Sequence, residues 1–240
     1  GRAPAAGAAA GALPLGAVRR ECRGLARAAV RLDAPAVDDA IAAALAEYGL
    51  IEAWNEVMMP ALRAVGRKWA TEGERYVEVE HLLSWHVSAG LRRLAAQARP
   101  GSAQEPPVLL ACVPGELHSL PLEALAAGLG ERGLPLRMFG AAVPVQALDD
   151  AVQRTGPSAV VLWSQSRGTA SRPLARHLCG IAWGVQGARH GPAVLLGGPG
   201  WSGTAVEGAL RPHGLREALD LLSALFRPSP ASSPPATRRA

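Results

Sequence analysis

The sequence predicts an α/β fold with an all-α cap: a four-helix bundle followed by a doubly wound parallel sheet. Three observations carry this. Leu15 to Pro100 reads as helix throughout, with short connections, as in an antiparallel bundle. Arg99 to Pro107 is a polar, Pro-containing linker. From Val108 onward, short apolar runs alternate with helical patterns, as expected for βαβ units. The implied division is a flexible linker over 1–14, the cap over 15–99, the sheet domain over 107–226 and a disordered tail over 227–240, rich in Pro, Ser and Ala.

Each element has its own warrant. Val18, Leu25, Ala29 and Leu32 mark one face of a first helix. Asp33 is an N-cap for the second, with Pro35 in its first turn and Gly49 ending it. The third spans about Ile51 to Ala70, with Trp54, Val57, Met58, Leu62, Val65 and Trp69 on one face. Pro60 inside it should kink or locally break it. Thr71 to Glu74 is a turn, and the fourth helix runs from about Val77 to Gln97. Strands are expected over Val108–Val113, Leu136–Phe139, Ala159–Ser164 and Ala193–Leu196. Helices are expected over Leu120–Glu131, Val145–Arg154, Arg172–Cys179 and Leu215–Phe226.

Composition excludes several classes. The net charge is +5, but the Arg residues are scattered and aromatics are 4%, so no nucleic-acid-binding stripe is visible. Cys22, Cys112 and Cys179 lie far apart without zinc spacing and read as reduced, buried structural residues of a cytoplasmic protein. No run is long and apolar enough to span a membrane.

Chemistry collects at the strand ends, where open parallel sheets bind ligands. After the first strand comes Pro114-Gly115-Glu116-Leu117-His118. Glu116, two residues before His118, is placed to hold one ring nitrogen and aim the other outward as a ligand or base. Ser164 ends the third strand, and Gly197-Gly198 ends the fourth, leaving room for close approach of a backbone or a thin ligand. No GxGxxG follows the first strand and no GxxxxGK[ST] occurs, which argues against dinucleotides and nucleoside triphosphates. Ser164 lacks the GxSxG elbow of a hydrolase.

The order Glu116-Leu117-His118-Ser119-Leu120-Pro121, Ser164-Gln165-Ser166, Gly197-Gly198 resembles the cobalamin-binding signature D/ExHxxG…SxL…GG, with Pro121 in place of Gly and Ser166 in place of Leu. In the cap, Trp69 followed by Glu80-His81 resembles the Trp-x9-Glu-His motif of light-responsive MerR-type regulators, the CarH and LitR group. Ten residues separate Trp69 from Glu80 here, with the extra one assigned to the Thr71–Arg75 turn. This resemblance implies a Rossmann-like sheet domain that binds adenosylcobalamin. His118 would be the lower cobalt ligand, with Glu116 on its other nitrogen. Ser164 would extend the relay or contact the displaced base, and the nucleotide tail would run past Gly197 and Gly198. Gly115 would belong to the same loop, and Trp69, Glu80 and His81 would pack over the upper face. It also implies self-association as a dimer or tetramer, DNA binding through a domain outside this chain, and no enzymatic activity of its own. In the family the residue after the Trp can be a His that captures cobalt after photolysis. Ala70 stands there and has no ligand atom. Two other readings stay open: a corrinoid methyl carrier for a methyltransferase, and a diverged module sensing another ligand.

Overall fold

A computed structural model describes residues 19–72, 76–97, 105–183, 191–203 and 205–227. The expected linker over 1–14, the start of the first helix, the core of the 71–75 turn and nearly all of the expected tail lie outside the described residues.

The bundle comprises α1 (Arg20–Val30), α2 (Ala34–Ala53), α3 (Met59–Glu72) and α4 (Val77–Gln97). Asp33 caps α2, its side chain accepting from the Ala36 N–H, with Pro35 in the first turn. Gly49 breaks the helix as expected, at φ 72° and ψ 172°, but helical structure resumes at once as far as Ala53. Before Pro60 the chain widens into a π-helical turn over Trp54–Met58, with the Met59 N–H reaching Trp54 O. Pro60 has no N–H to give the Glu56 carbonyl, so the local break takes this form rather than a simple kink.

The sheet has five parallel strands in the order β2-β1-β3-β4-β5. They are β1 (Val108–Cys112), β2 (Leu136–Gly140), β3 (Ala159–Trp163), β4 (Ala193–Gly197) and β5 (Ala209–Leu210). The helices α5 (Leu120–Glu131), α6 (Val145–Thr155), α7 (Arg172–Gly180) and α8 (Leu215–Leu225) connect and flank them. The two-residue β5 and a 3-10 turn over Pro199–Trp201 are additions to the sequence reading, since neither is long enough to show a period.

Strand alternation divides the core. Leu109, Val160, Leu162, Val194 and Leu196 face α6 and α7. Val108, Leu110, Cys112, Val161 and Leu195 face α5 and α8 and join one continuous core with the cap residues Leu25, Ile41, Met58 and Leu83. The bundle therefore joins the sheet's core through α5, on which α4 and α2 pack. Cys22 and Cys112 are buried and free, while Cys179 is only half-buried. Burial pushes the Cys22 thiol up to about 11 and that of Cys112 to about 12. Among the described residues no helix is long and apolar enough to cross a membrane.

Candidate cofactor-binding site

The site begins where β1 ends. Gly115 adopts φ +78°, and the Glu116 N–H closes a turn onto Val113 O at 3.0 Å. This left-handed turn, which favours glycine, folds the Glu116 side chain inward until it is 2% exposed. Its Oε1 accepts from the His118 backbone N–H at 3.0 Å and lies 2.6 Å from His118 Nδ1. Its Oε2 accepts from the Gln165 N–H at 2.7 Å and from Thr169 Oγ1 at 3.0 Å. Burial alone pushes this carboxyl up, but the donors from His118, Gln165 and Thr169 outweigh it and hold it down to about 2.

An ionised carboxylate only accepts, which orders the network. His118 Nδ1 carries the proton it gives to Glu116, so Nε2 points away from the network, on a side chain that is 68% exposed. Thr169 gives its proton to Glu116 and lies 2.7 Å from Ser164 Oγ. Ser164 is fully buried, also lies 2.9 Å from Ser166 O, and reaches Glu116 only through Thr169. The expected relay thus has a member, Thr169, that sequence reasoning missed, together with the Gln165 backbone.

A pH dependence follows. The Glu116 carboxyl lies near 4.5 when unperturbed and near 2 when folded. A depressed folded value stabilises the fold above the unfolded value, and that contribution is lost as pH falls from about 4.5 to about 2. Its size is on the order of 3 kcal/mol. Urea unfolding across this range is expected to show a loss that is smaller in Glu116→Gln by that amount.

Gly197 and Gly198 end β4 against the end of β3. Gly197 pairs in register with Trp163, and a β-carbon on it would lie 3.1 Å from Trp163 Cε3. Gly198 has φ +102°, and a β-carbon there would lie 2.3 Å from Ser164 O and 3.2 Å from Trp163 Cε2. The room these glycines leave is taken up by the β3 backbone and the Trp163 indole.

In the cap, Trp69 near the end of α3 is 45% exposed. In the first turns of α4, Glu80 Oε1 accepts from Ser84 Oγ at 2.7 Å, and Glu80 Oε2 lies 3.6 Å from Nε2 of the exposed His81. Among the described residues, no hydrogen bond or ion pair joins Trp69, Glu80 or His81 to the His118 loop.

They nevertheless stand at the same end of the molecule. Asp38 meets His86, and a β-carbon on Gly90 would meet Ile41, so α2 and α4 run parallel. Farther along α2, Leu50 lies against Gly128 of α5, while Ser88 Oγ donates to Glu123 Oε2 at 2.6 Å. Hence α4 runs parallel to α5, and its first turns lie toward the α5 N-terminus, where His118 sits. Glu123, 7% exposed, ties the two helices together. Besides Ser88 it accepts from Arg92 Nε at 3.1 Å and from Ser119, the residue after His118, at 3.2 Å. Burial works against its charge, but Arg92, Ser88 and Ser119 hold its carboxyl below the usual value. His81, Trp85, Ser88 and Arg92 form one stripe at helical spacing. Trp85, 74% exposed, lies one turn nearer the His118 end than Ser88. Neither Glu123 nor Trp85 has a local sequence signal; their relevance comes from how α4 packs on α5.

Residues 21–95 match the family described as B12 binding domain. That match covers most of the helical cap. Over 130 residues the chain is 35% identical to the HTH-type transcriptional repressor CarH of Myxococcus xanthus, a match covering 54% of this chain. It spans 42% of the length of that repressor. The chain is thus CarH-like over about half its length. The structure of the Methanosarcina barkeri monomethylamine corrinoid protein shares the fold, with a TM-score of 0.63 at 14% identity, covering 84% of this chain and 96% of that one.

Proposed function

We propose that this chain is the cobalamin-sensing region of a transcriptional regulator. It responds to adenosylcobalamin and light by changing its self-association, and acts on DNA through a MerR-type domain outside this sequence. The observation that carries the reading is His118: an exposed imidazole whose Nδ1 is held 2.6 Å from a buried, ionised Glu116, with Nε2 turned outward. One imidazole supplies one bond, so a metal held by it must bring its other ligands with it, as cobalt in a corrin does. An acid holding the far nitrogen raises the basicity of the near one and fixes its aim. The donor set therefore fits cobalamin.

In this reading His118 is the lower ligand, and Glu116, Thr169 and Ser164 orient it. Trp69, Glu80 and His81 cover the upper face, which agrees with their position at the His118 end of the cap. Bound adenosylcobalamin would supply a cobalt–carbon bond that light can break. The Glu123 link to Ser119, Ser88 and Arg92 gives the His118 loop a direct mechanical connection to the cap, as a switch requires. The regulator is a cytoplasmic sensor rather than a catalyst, and the identity to an HTH-type repressor supports that role.

The test is an absorption spectrum of the protein loaded with adenosylcobalamin in the dark and freed of excess ligand, with gel filtration before and after green light. The expected result is a retained spectrum of histidine-ligated cobalamin that changes irreversibly on illumination together with the elution volume. His118→Ala is expected to lose that spectrum and to bind at least about tenfold more weakly. Retained cobalamin with no light-dependent change in assembly would instead favour a corrinoid methyl carrier. No retention would overturn the reading.

A further inference from the structure

A groove beside Gly197 would have to pass Trp163. Trp163 ends β3, paired with Cys112 of β1 on one side and Gly197 of β4 on the other. It shares the strand face of Ala159 and Val161 and packs on the core that holds the cap, α5 and α8. Its ring lies over both strand-end glycines, within 3.1 to 3.2 Å of where their β-carbons would stand. At that separation no group fits between them. The indole Nε1–H is buried without a partner among the described residues. An orphaned buried donor is destabilising, so packing alone is a poor reason to place this residue here.

The place matters because β1 leads directly into the His118 loop, and Cys112 Sγ lies 3.7 Å from His118 O. A corrinoid bound through His118 Nε2 presents its lower face to this end of the sheet. The nucleotide tail of a complete cobalamin hangs from that face. With its base displaced by the imidazole, the tail must either enter between the sheet and the helices α5 and α8 or stay outside. Trp163 fills the first route.

We propose that Trp163 is a specificity-determining residue that bars the nucleotide tail from the crevice beside Gly197, so that the site selects the corrin macrocycle and ignores the tail. This rests on the corrinoid reading above. The test is equilibrium dialysis, followed by absorbance, of the full chain and its Trp163→Ala and Trp163→Phe variants, with hydroxocobalamin and with tail-less diaquacobinamide. Thermal unfolding checks that each variant is folded. The wild type is expected to bind hydroxocobalamin no more tightly than diaquacobinamide, because a complete ligand whose tail stays outside must give up its own base without gaining contacts. Trp163→Ala is expected to bind hydroxocobalamin at least about tenfold tighter with little change for diaquacobinamide, the size of effect a freed apolar subsite gives. Trp163→Phe, which keeps a ring in the groove, should behave as wild type. A wild type that binds hydroxocobalamin tenfold tighter than diaquacobinamide would overturn the inference and leave the corrinoid reading intact. So would a Trp163→Ala variant that gains nothing for the complete ligand. Failure of all three proteins to bind either ligand would overturn both.

Discussion

Glu116→Ala is expected to lower stability by about 4 kcal/mol, since each buried donor left unpaired costs roughly 1–3 kcal/mol. The carboxylate gathers donors from three separate places: the His118 backbone and ring, the Gln165 backbone and the Thr169 hydroxyl. Truncation strands them where Glu116 is now 2% exposed, and it frees the imidazole to turn. The network also joins the end of β1 to the end of β3, so the loss is felt between strands and not in one loop alone. For a chain of this size the melting temperature should fall by about 10 °C. Glu116→Gln retains an acceptor and the side-chain volume, so its loss should be about half as large. Thermal unfolding followed by circular dichroism measures both. A fall of less than about 2 °C for Glu116→Ala would contradict the account of the network.

The second large effect concerns two adjacent glycines that look equivalent in the sequence. Gly198→Ala is expected to cost about 3 kcal/mol or more, adding left-handed strain to overpacking. Its φ is +102°, and the new β-carbon would lie 2.3 Å from Ser164 O, a backbone atom of the segment that also carries the relay. β3 and β4 must separate to admit it. The Gly200 N–H, now donating to the same Ser164 carbonyl at 2.9 Å, is disturbed as well. Gly197→Ala is crowded by the Trp163 ring, at 3.1 Å, while the nearest backbone atom, Leu162 O, is 3.9 Å away, and it has no positive φ. A side chain can shift a few tenths of an ångström, so the cost there should be about 1 kcal/mol. Urea midpoints of the two variants provide the comparison. Equal costs, or a larger one at Gly197, would contradict the packing described for the strand ends.

The elements were legible because their periods are clean. α4 and α5 occupy the spans expected from apolar spacing, and the alternation of short apolar runs with helices announced a parallel sheet. The Glu116–His118 pair was legible because two residues and one turn suffice to bring an acid to an imidazole. Thr169 and Gln165 were not, because they meet Glu116 only when β3 lies beside β1, and strand order is not written in local spacing. Ser164 does follow directly on β3, but its route to Glu116 passes through a residue five positions on. Gly197 and Gly198 read as room for a ligand; in the fold that room is shared between the Trp163 ring and the Ser164 carbonyl. Trp163 itself was hidden as one more apolar strand residue. Glu123 was hidden inside a helical pattern, where nothing announces that Ser88 and Arg92 of the cap converge on it.

The central claim is that His118 Nε2 binds the lower face of cobalamin. The most direct measurement is the electron paramagnetic resonance spectrum of the protein loaded with cob(II)alamin, prepared once with ordinary histidine and once with histidine labelled with nitrogen-15. If His118 is the ligand, each cobalt line is split into a triplet by the ordinary axial nitrogen and into a doublet by the labelled one, and His118→Ala loses the label-dependent change. Triplets that persist in the labelled protein would mean that the axial nitrogen belongs to the cofactor's own base, and would contradict the assignment.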